Sequence, residues 1–166
     1  MKQTPFVSVV VLGYKAGEQL QNLVERLGSL LKKTRWEYEI ILVANYWRDK
    51  NDPTPSVAHR ISQSIHHVSA ISHPKQGGMG WDVLSGLKKA RGEILVFVDG
   101  DAQNPLEDVV RTVRALQRKK ADLVKTVRIQ RFDGVVRAVQ SVWYNRFFRW
   151  MYGMNMNDVN GKPKAM

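Results

Sequence analysis

The chain contains no cysteine, and this absence excludes several classes of protein at once. Disulfide-bonded scaffolds, thiolate zinc sites and cysteine nucleophiles all require this residue. With 166 residues the chain does not need such cross-links to fold. A domain of this size buries roughly 70% of the surface that its unfolded chain exposes. We therefore expect a single domain over residues 1–166 with an ordinary hydrophobic core.

Long apolar runs are also missing from the sequence. The most apolar segments, FVSVVVL and ILVFV, are much shorter than the roughly 18 residues that a membrane-spanning helix requires. The first residues, MKQTPFVSVVVLGYK, lack the small-residue cleavage pattern of a signal peptide. These features predict a soluble, cytoplasmic domain in which the short apolar segments form buried strands.

Acidic residues are scarce in the last third of the chain. Residues 1–110 carry 13 basic and 12 acidic side chains, whereas residues 111–166 carry 13 basic and 3 acidic ones. The formal net charge of +11 therefore arises almost entirely from the last third. Such a segment is typical of proteins that bind nucleic acid, a phosphorylated substrate or lipid head groups. A solvated basic face without a partner is the alternative.

Short apolar segments alternate with segments whose apolar residues recur every three or four positions, as in amphipathic helices. Strands are predicted over 6–12, 38–44, 65–71, 93–98 and 121–126, and helices over 18–33, 77–91, 106–119 and 134–151. The polar segment 45–56, with two prolines, is predicted to be an irregular loop. Repeated β-α-β units favour an α/β fold with a mostly parallel sheet and flanking helices. Ligands of such sheets bind beyond the carboxyl ends of the strands.

Three oxygen-bearing side chains follow the apolar run ILVFV at alternate positions, namely Asp99, Asp101 and Gln103. Alternate side chains of an extended segment project to the same side, so these oxygens can converge. Carboxylate and amide oxygens suit Mg²⁺ or Mn²⁺, and such an ion would neutralise a diphosphate and stabilise its charge as it departs. An ordinary turn is the alternative, since Asp, Gly and Asn favour turns.

The segment FVDGDAQNPLED resembles the Asp-x-Asp motif of inverting glycosyltransferases of family 2, which have the Rossmann-like GT-A fold. The longer segment KQGGMGWDVLSGLKKARGEILVFVDGDAQNP is similar to polyprenyl-phosphate glycosyltransferases of the dolichol-phosphate mannosyltransferase type. This chain and the family both have a glycine-rich turn, a helix and the sequence Ala-x-Gly-Glu before the strand that leads to the Asp-x-Asp motif. The resemblance covers residues 6–164. It implies that Asp99, Asp101 and Gln103 hold the metal and the diphosphate of a sugar nucleotide.

The same resemblance assigns further residues to the nucleotide sugar. Lys75, Gly77 and Gly78 precede a predicted helix, where glycines permit close approach of the backbone and free N–H groups favour a phosphate oxygen. Tyr14 is the residue that LGYKAGE shares with the Pro-x-Tyr-Asn-Glu motif of the family. Asn45 stands where the family usually has an acidic residue after the second strand. These departures leave the nucleotide base open, and a catalytically weakened relative remains an alternative.

The segment RIQRFDGVVRAVQSVWYNRFFRWMYGMNMNDVNGKPKAM is similar to the acceptor segment of polyprenyl-phosphate glycosyltransferases. The resemblance implies that Arg128 and Arg137 hold the lipid phosphate, and that Asp158 begins a closing Asp-x-Asn-Gly element. A phosphate monoester is largely dianionic above a pH of about 6, so it needs positioning more than a strong base. A sugar hydroxyl acceptor would need a base, and Asp158 is the candidate. A solvated helix face is the alternative for the arginines.

Aromatic and basic residues are interleaved over 143–152, as in helices that lie at a membrane interface. Packing of the aromatic residues in the core is the competing interpretation. A nucleic-acid-binding domain would also suit basic and aromatic residues together. That interpretation leaves Asp99 and Asp101 unexplained, because carboxylates repel phosphates when no metal is present. The four histidines lack the spacing of metal ligands and are predicted to be structural.

Together these features predict a metal-dependent, inverting glycosyltransferase that uses Mg²⁺ or Mn²⁺. We expect it to transfer a sugar from a nucleoside-diphosphate sugar to a polyprenyl phosphate, and to lie peripherally on an anionic membrane surface at the cytoplasmic, inner face. A family 2 enzyme with a sugar hydroxyl acceptor and a nucleic-acid-binding domain are the alternatives. Family members continue beyond GKPKAM with another strand and helix, so we expect a C-terminally incomplete domain or an unusually open acceptor side.

Overall fold

The structure is a computed structural model that describes residues 4–127, 135–153 and 161–166, without the side chains of residues 135–141, 144 and 145. The strands are β1 (Val7–Leu12), β2 (Tyr38–Val43), β3 (Val68–Ile71), β4 (Ile94–Asp99), β5 (Val124–Lys125) and β6 (Lys164–Ala165). The helices are α1 (Gln19–Lys32), α2 (Thr54–Ser64), α3 (Met79–Lys89), α4 (Glu107–Lys119) and α5 (Val135–Tyr152).

The six strands form one sheet in the order β3-β2-β1-β4-β6-β5. The four strands from β3 to β4 are parallel, and β6 runs antiparallel to both of its neighbours. This topology confirms the predicted α/β fold with a mostly parallel sheet. Because β1, β2 and β4 are parallel and adjacent, the residues that follow them meet at one edge of the sheet, which we call the carboxyl edge.

Both faces of the sheet are covered, as expected for parallel strands built from continuous apolar runs. All six residues of β1 are buried, and successive side chains point to opposite faces. Val7, Val9 and Val11 pack in the larger part of the core with buried residues of α1, α2 and α4. Val10 packs on the other face with Ile41 and Phe97, beneath α3. The alternation within one strand thus assigns α3 to the face opposite the one that α1, α2 and α4 cover.

The prediction of an irregular loop over 45–56 is wrong at its carboxyl end, because α2 begins at Thr54. Pro53 and Pro55 lie at the start of this helix, where proline is tolerated because the first N–H groups have no intrahelical partner. Asp52 accepts a hydrogen bond from the backbone N–H of Thr54, with an N–O distance of 3.0 Å. The prolines therefore mark the start of a helix.

A buried carboxylate links the amino ends of β1 and β2 to the segment before β4. Glu39 accepts hydrogen bonds from Ser8 Oγ at 2.7 Å, from the backbone N–H of Arg91 at 2.8 Å and from Arg91 Nη2 at 2.7 Å. Burial by itself raises the pKa of the Glu39 carboxyl group, but the bonds from Arg91 and Ser8 outweigh burial and lower this pKa overall. The network orders the edge of the sheet opposite the carboxyl edge.

Gly86 lets α3 lie directly on the sheet. A Cβ atom at this position would come within 2.2 Å of Val10 Cγ1 and 2.9 Å of Val43 Cγ2. Such distances are far below a van der Waals contact, so a side chain would force the helix away from the strands. Gly86 thereby sets the position of the first turn of α3, which borders the carboxyl edge.

We expect Gly86→Ala to lower the free energy of unfolding by about 1–3 kcal/mol through overpacking, although alanine is the better helix former. Gly28→Ala in α1 is the matched control, because a Cβ there meets no atom within 4 Å. That variant should gain about 0.5–1 kcal/mol. Urea denaturation of the two variants measures both effects, and a Gly86→Ala protein as stable as the Gly28→Ala protein would contradict the packing described.

Candidate functional site

Five of the predicted site residues line one cavity at the carboxyl edge of the sheet. The cavity has a volume of about 360 Å³, and its lining includes Tyr14, Lys75, Gly78, Asp82, Asp99 and Asp101. All of these except Asp82 were predicted from the sequence. The structure therefore brings together residues from the ends of β1 and β4 and from the turn before α3.

The glycine between the two aspartates is required by the close approach of β1. The backbone N–H of Gly100 donates a hydrogen bond to the carbonyl oxygen of Leu12, with an N–O distance of 2.9 Å. A Cβ on Gly100 would lie 2.8 Å from that same oxygen, so a larger residue would break this contact. The Asp99-Gly100-Asp101 segment is thereby fixed against the end of β1, with Asp99 half-buried and Asp101 exposed.

The extended arrangement expected for Asp99, Asp101 and Gln103 is wrong beyond Asp99, where β4 ends. The chain turns, and Ala102 adopts a left-handed conformation with φ of 57°. Asp101 Oδ1 accepts a hydrogen bond from the backbone N–H of Gln103 at 3.1 Å, as in an Asx turn. The alternative of a turn is thus correct in geometry, yet both carboxylates still border the cavity. The assignment of Gln103 as a metal ligand stays a prediction.

Lys162, which was not predicted as a site residue from the sequence, forms an ion pair with Asp99. The Nζ atom of Lys162 is 2.5 Å from Asp99 Oδ1 and 2.8 Å from the Sδ atom of Met79. The side chain of Lys162 is 9% exposed, so this ion pair is largely shielded from water. The pairing depends on β6, which was not predicted, and no local sequence signal pointed to it.

A second ion pair lies deeper at the same edge. The Lys75 ammonium group pairs with the Asp82 carboxylate, and their side chains are 5% and 6% exposed. Lys75 Nζ also lies 4.4 Å from the centroid of the Tyr14 ring, within the range of a cation–π interaction. Asp82 was not singled out from the sequence. Its place in the first turn of α3, where a carboxylate is favoured, was the available signal.

Asn45 holds this second ion pair in place. Its Nδ2 donates to Asp82 Oδ1 at 2.9 Å, and its Oδ1 accepts from the backbone N–H of His73 at 2.9 Å. Asn45 is 1% exposed, so both ends of its amide are engaged inside the protein. The carboxylate that the family usually has after the second strand is thus replaced by an amide that binds the Asp82 carboxylate.

The glycine-rich turn leads into α3 beside the two ion pairs. Gly78 is the residue that precedes the helix, and it lines the cavity. Gly77 is adjacent, and a Cβ there would make only an ordinary contact at 3.4 Å with Trp81. The start of α3 therefore faces the cavity, and the partial positive charge of a helix amino terminus favours an anion there.

The two carboxylates of Asp99 and Asp101 fit a divalent ion that is shared with a ligand. Within the described residues, no three acidic or histidine side chains converge as a ready-made metal site. Mg²⁺ is commonly held by one or two carboxylates together with the phosphates of its substrate, and keeps waters at its other positions. The donor set is thus suited to Mg²⁺ or Mn²⁺ bound jointly with a diphosphate.

The predicted acceptor residues lie mostly where the structure gives no description. Arg128 and Asp158 are outside the described residues, and Arg137 lies in α5 without a described side chain. Among the described helices, none is both long and apolar enough to cross a membrane.

The aromatic side chains of α5 that the structure describes are mostly exposed. The exposed fractions are 71% for Trp143, 53% for Phe147, 81% for Trp150 and 55% for Tyr152. Among the described residues these four side chains are therefore exposed and do not pack in the core. The sequence of α5 contains no acidic residue, and Arg146 and Arg149 are exposed on it.

Comparison with known sequences identifies the class to which this fold and site belong. The sequence model of the family described as "Glycosyl transferase family 2" matches residues 8–164. The chain therefore belongs to glycosyltransferase family 2. The resemblance seen in the acidic motif and the glycine-rich turn is thereby confirmed.

The curated relatives include transferases that act on a polyprenyl phosphate. The chain is 30% identical over 164 residues to undecaprenyl-phosphate 4-deoxy-4-formamido-L-arabinose transferase of Photorhabdus laumondii, covering 99% of this chain and 50% of that protein. It is 32% identical over 159 residues to the Proteus mirabilis protein of the same name, covering 96% and 48%. The chain spans about half the length of these curated relatives.

Solved structures confirm the Rossmann-like GT-A fold. One is glucosyl-3-phosphoglycerate synthase from Mycobacterium tuberculosis in complex with Mn²⁺, UDP and phosphoglyceric acid, with a TM-score of 0.65, 21% identity and coverage of 97% of this chain and 55% of that one. Another is a mannosyltransferase from Pyrobaculum calidifontis in complex with GDP-Man and Mn²⁺, with a TM-score of 0.55, 21% identity and coverage of 76% and 36%. At these identities the likeness establishes the fold alone.

We expect Asp82→Ala to lower the free energy of unfolding by about 3–5 kcal/mol, because it leaves the Lys75 charge buried without its partner. The combined change Lys75→Met with Asp82→Leu should recover part of this loss, since it removes both buried charges but leaves Asn45 Nδ2 without its carboxylate acceptor. Urea denaturation measures each variant.

Arg111→Ala is the matched control, because it breaks an ion pair with Asp108 in which the arginine side chain is 74% exposed. Its cost should be about 0–1 kcal/mol. If Asp82→Ala and Arg111→Ala lower the free energy of unfolding equally, Asp82 does not stabilise the buried charge of Lys75, which would contradict the arrangement described.

Proposed function

We propose that this chain carries the catalytic site of a metal-dependent, inverting glycosyltransferase that transfers a sugar from a nucleoside-diphosphate sugar to a polyprenyl phosphate. The observation that carries the proposal is the carboxyl-edge cavity, where Asp99 and Asp101 lie beside Lys75 and the start of α3 in a family 2 chain. The names of the curated relatives support the lipid phosphate acceptor. The nucleotides and Mn²⁺ in the solved relatives support the donor and the metal.

The donor would lie along the carboxyl edge. We assign Asp99, Asp101 and Gln103 to a divalent ion, which when bound would offset the negative charge that builds up on the departing diphosphate. Gly77 and Gly78 allow the diphosphate to approach the start of α3. Tyr14 and Lys75 form the adjoining wall of the cavity, in contact with each other.

Asn45 has an indirect role in this arrangement. Its amide is engaged with Asp82 and the backbone of His73, so we assign it to holding the Lys75–Asp82 pair. Lys75 then keeps a fixed position beside the donor without a change of rotamer on binding. Such preorganised cations stabilise developing negative charge at little cost in reorganisation.

The transfer itself needs no proton to move. One oxygen of the acceptor phosphate forms a bond to the anomeric carbon of the sugar, on the face opposite the nucleotide. The bond from that carbon to the diphosphate breaks, and its electron pair leaves with the nucleoside diphosphate, which inverts the configuration. A phosphate monoester that is already dianionic can act in this way once it is positioned. We assign this positioning to Arg128 and Arg137, and the ordering of the acceptor segment to Asp158.

The exposed face of α5 suits a peripheral position on the membrane that contains the acceptor. Trp143 and Trp150 are largely exposed, and tryptophan favours the boundary between lipid and water. Arg146 and Arg149 on the same helix would contact anionic head groups. We therefore propose that α5 binds the inner face of the cytoplasmic membrane, close to the lipid phosphate.

We expect Mn²⁺ to raise the affinity for UDP- or GDP-sugars at least about tenfold, which corresponds to roughly 1.4 kcal/mol. Asp101→Asn should abolish this gain. Asp122→Asn, an exposed aspartate before β5, is the matched control and should keep it. Isothermal titration with and without Mn²⁺ measures these affinities.

A chain that binds none of these nucleotides would contradict the proposed function. Binding of single-stranded nucleic acid that weakens steeply with salt and ignores Asp101→Asn would favour the nucleic-acid alternative.

We expect the protein to bind vesicles that contain phosphatidylglycerol and to lose affinity by roughly tenfold or more in the double variant Trp143→Ser with Trp150→Ser. Leu123→Ser is the control, because Leu123 is an exposed apolar residue outside α5. Vesicle flotation at low and high salt measures the binding. Equal binding by the double variant and the control would contradict the assignment of α5 to the membrane.

A further inference from the structure

The position of Lys162 beside Asp99 is set by the sheet. In the antiparallel pair of β4 and β6, Val96 is opposite Ala165 and Phe97 is opposite Lys164. Lys162 lies two residues before β6 begins, and Asp99 is the last residue of β4, so this pairing brings the two residues to the same end of the strand pair. The ion pair therefore lies next to the paired segment of β4 and β6.

The ammonium group of Lys162 is held from two sides. Its Nζ is 2.5 Å from Asp99 Oδ1, and it is also 2.8 Å from the Sδ atom of Met79 at the start of α3. With side chains 9% and 28% exposed, Lys162 and Asp99 are shielded from water more than an ordinary surface pair. Exposed pairs contribute little because water screens them, and that screening is reduced here.

This arrangement creates a competition at Asp99. A divalent ion would need the same carboxylate that the Lys162 ammonium group occupies, and two cations at one oxygen repel each other strongly at such short distances. Lysine is a compact charge on a flexible four-carbon stem, so it can leave one oxygen for another without movement of the backbone. The diphosphate of a donor would offer such oxygens in the adjoining cavity.

We propose that Lys162 is a built-in cation that occupies Asp99 in the absence of metal, and that a divalent ion binds only as Lys162 moves from Asp99. This inference rests on the metal site of the proposed function. It makes metal and donor binding cooperative, because the donor diphosphate receives the ammonium group that the metal displaces. Such coupling is reciprocal, so the donor raises metal affinity by the same factor as the metal raises donor affinity.

The test measures Mn²⁺ affinity directly, by electron paramagnetic resonance of the free ion at constant ionic strength. Lys162→Met removes the charge and keeps an apolar stem of similar length. We expect this variant to bind Mn²⁺ about tenfold more tightly than the unaltered chain when no nucleotide is present. The further gain in Mn²⁺ affinity that saturating UDP or GDP provides should become smaller in this variant.

Lys119→Met in the last turn of α4 is the matched control, because it removes the same charge at an exposed position remote from the carboxyl edge. Its Mn²⁺ affinity should stay unchanged. Thermal unfolding establishes that Lys162→Met is folded, and Lys162→Gln serves as a second variant.

A second measurement uses the unaltered chain. Acetylation of Lys162 by an amine-reactive reagent, followed by mass spectrometry, should become several-fold faster when Mn²⁺ alone is added, because the ammonium group is released from Asp99. The acetylation rate of Lys119 is the internal reference.

Each outcome has a distinct meaning. Tighter Mn²⁺ binding by Lys162→Met with faster acetylation of Lys162 supports the proposal. The proposal is overturned if Lys162→Met binds Mn²⁺ with unchanged or weaker affinity, or if the acetylation rate of Lys162 does not change when Mn²⁺ is added. The proposed function still stands in that case, provided that the chain binds the nucleotide. Nucleotide binding that needs Lys162 and ignores Mn²⁺ also overturns it, since Lys162 would then be the permanent cation of the site. Absence of both nucleotide and Mn²⁺ binding overturns the proposed function and this inference together.

Discussion

The arrangement of side chains at the carboxyl edge of the sheet depends on two ion pairs between a carboxylate and a lysine. Asp82 pairs with Lys75 and Asp99 pairs with Lys162, and in both pairs the lysine side chain is almost completely buried. Buried charges are tolerated only when they are paired and hydrogen-bonded. The edge therefore has paired charges of both signs before any ligand arrives, while Asp101 stays exposed beside them.

The backbone supplies the precision of this arrangement. Leu12 is opposite Asp99 in the parallel pairing of β1 and β4, and Gly100 then bonds to the carbonyl of Leu12. Gly86 allows α3 to approach the other strands, which brings Asp82 to the same edge. A site for a diphosphate and a divalent ion needs such rigid placement, because its contribution is to position charges rather than to move protons. This requirement links the packing of the core to the proposed transfer.

The sequence predicted the features that depend on local patterns. Buried strands and amphipathic helices have different periods, so their alternation gave the α/β fold. The end of a parallel strand then located Asp99 and Asp101 at the carboxyl edge, where sheets of this kind commonly bind ligands. The start of α2 was missed because Pro53 and Pro55 suggested a loop, although prolines are also common at the first turn of a helix.

Local sequence patterns could not predict contacts between residues that are far apart in the chain. Lys162 and Asp99 are 63 residues apart, and they meet only because the short strand β6 pairs with β4. Asn45 looked like a nucleotide ligand from its place after β2, but the structure engages its amide with Asp82, 37 residues away. The roles assigned to Arg128 and Asp158 stay predictions, because they lie outside the described residues.

The central claim is that a divalent ion and a diphosphate meet at the carboxyl edge of the sheet. The most direct measurement is a crystal structure of the chain with Mn²⁺ and a nucleoside diphosphate, in which anomalous scattering locates the metal. The account predicts a manganese peak bonded to the carboxylate of Asp101 and to the diphosphate, with the phosphates close to Gly78. A nucleotide bound at the opposite edge, in the cavity lined by Glu39, His66 and Arg91, or a metal remote from Asp101, would contradict it.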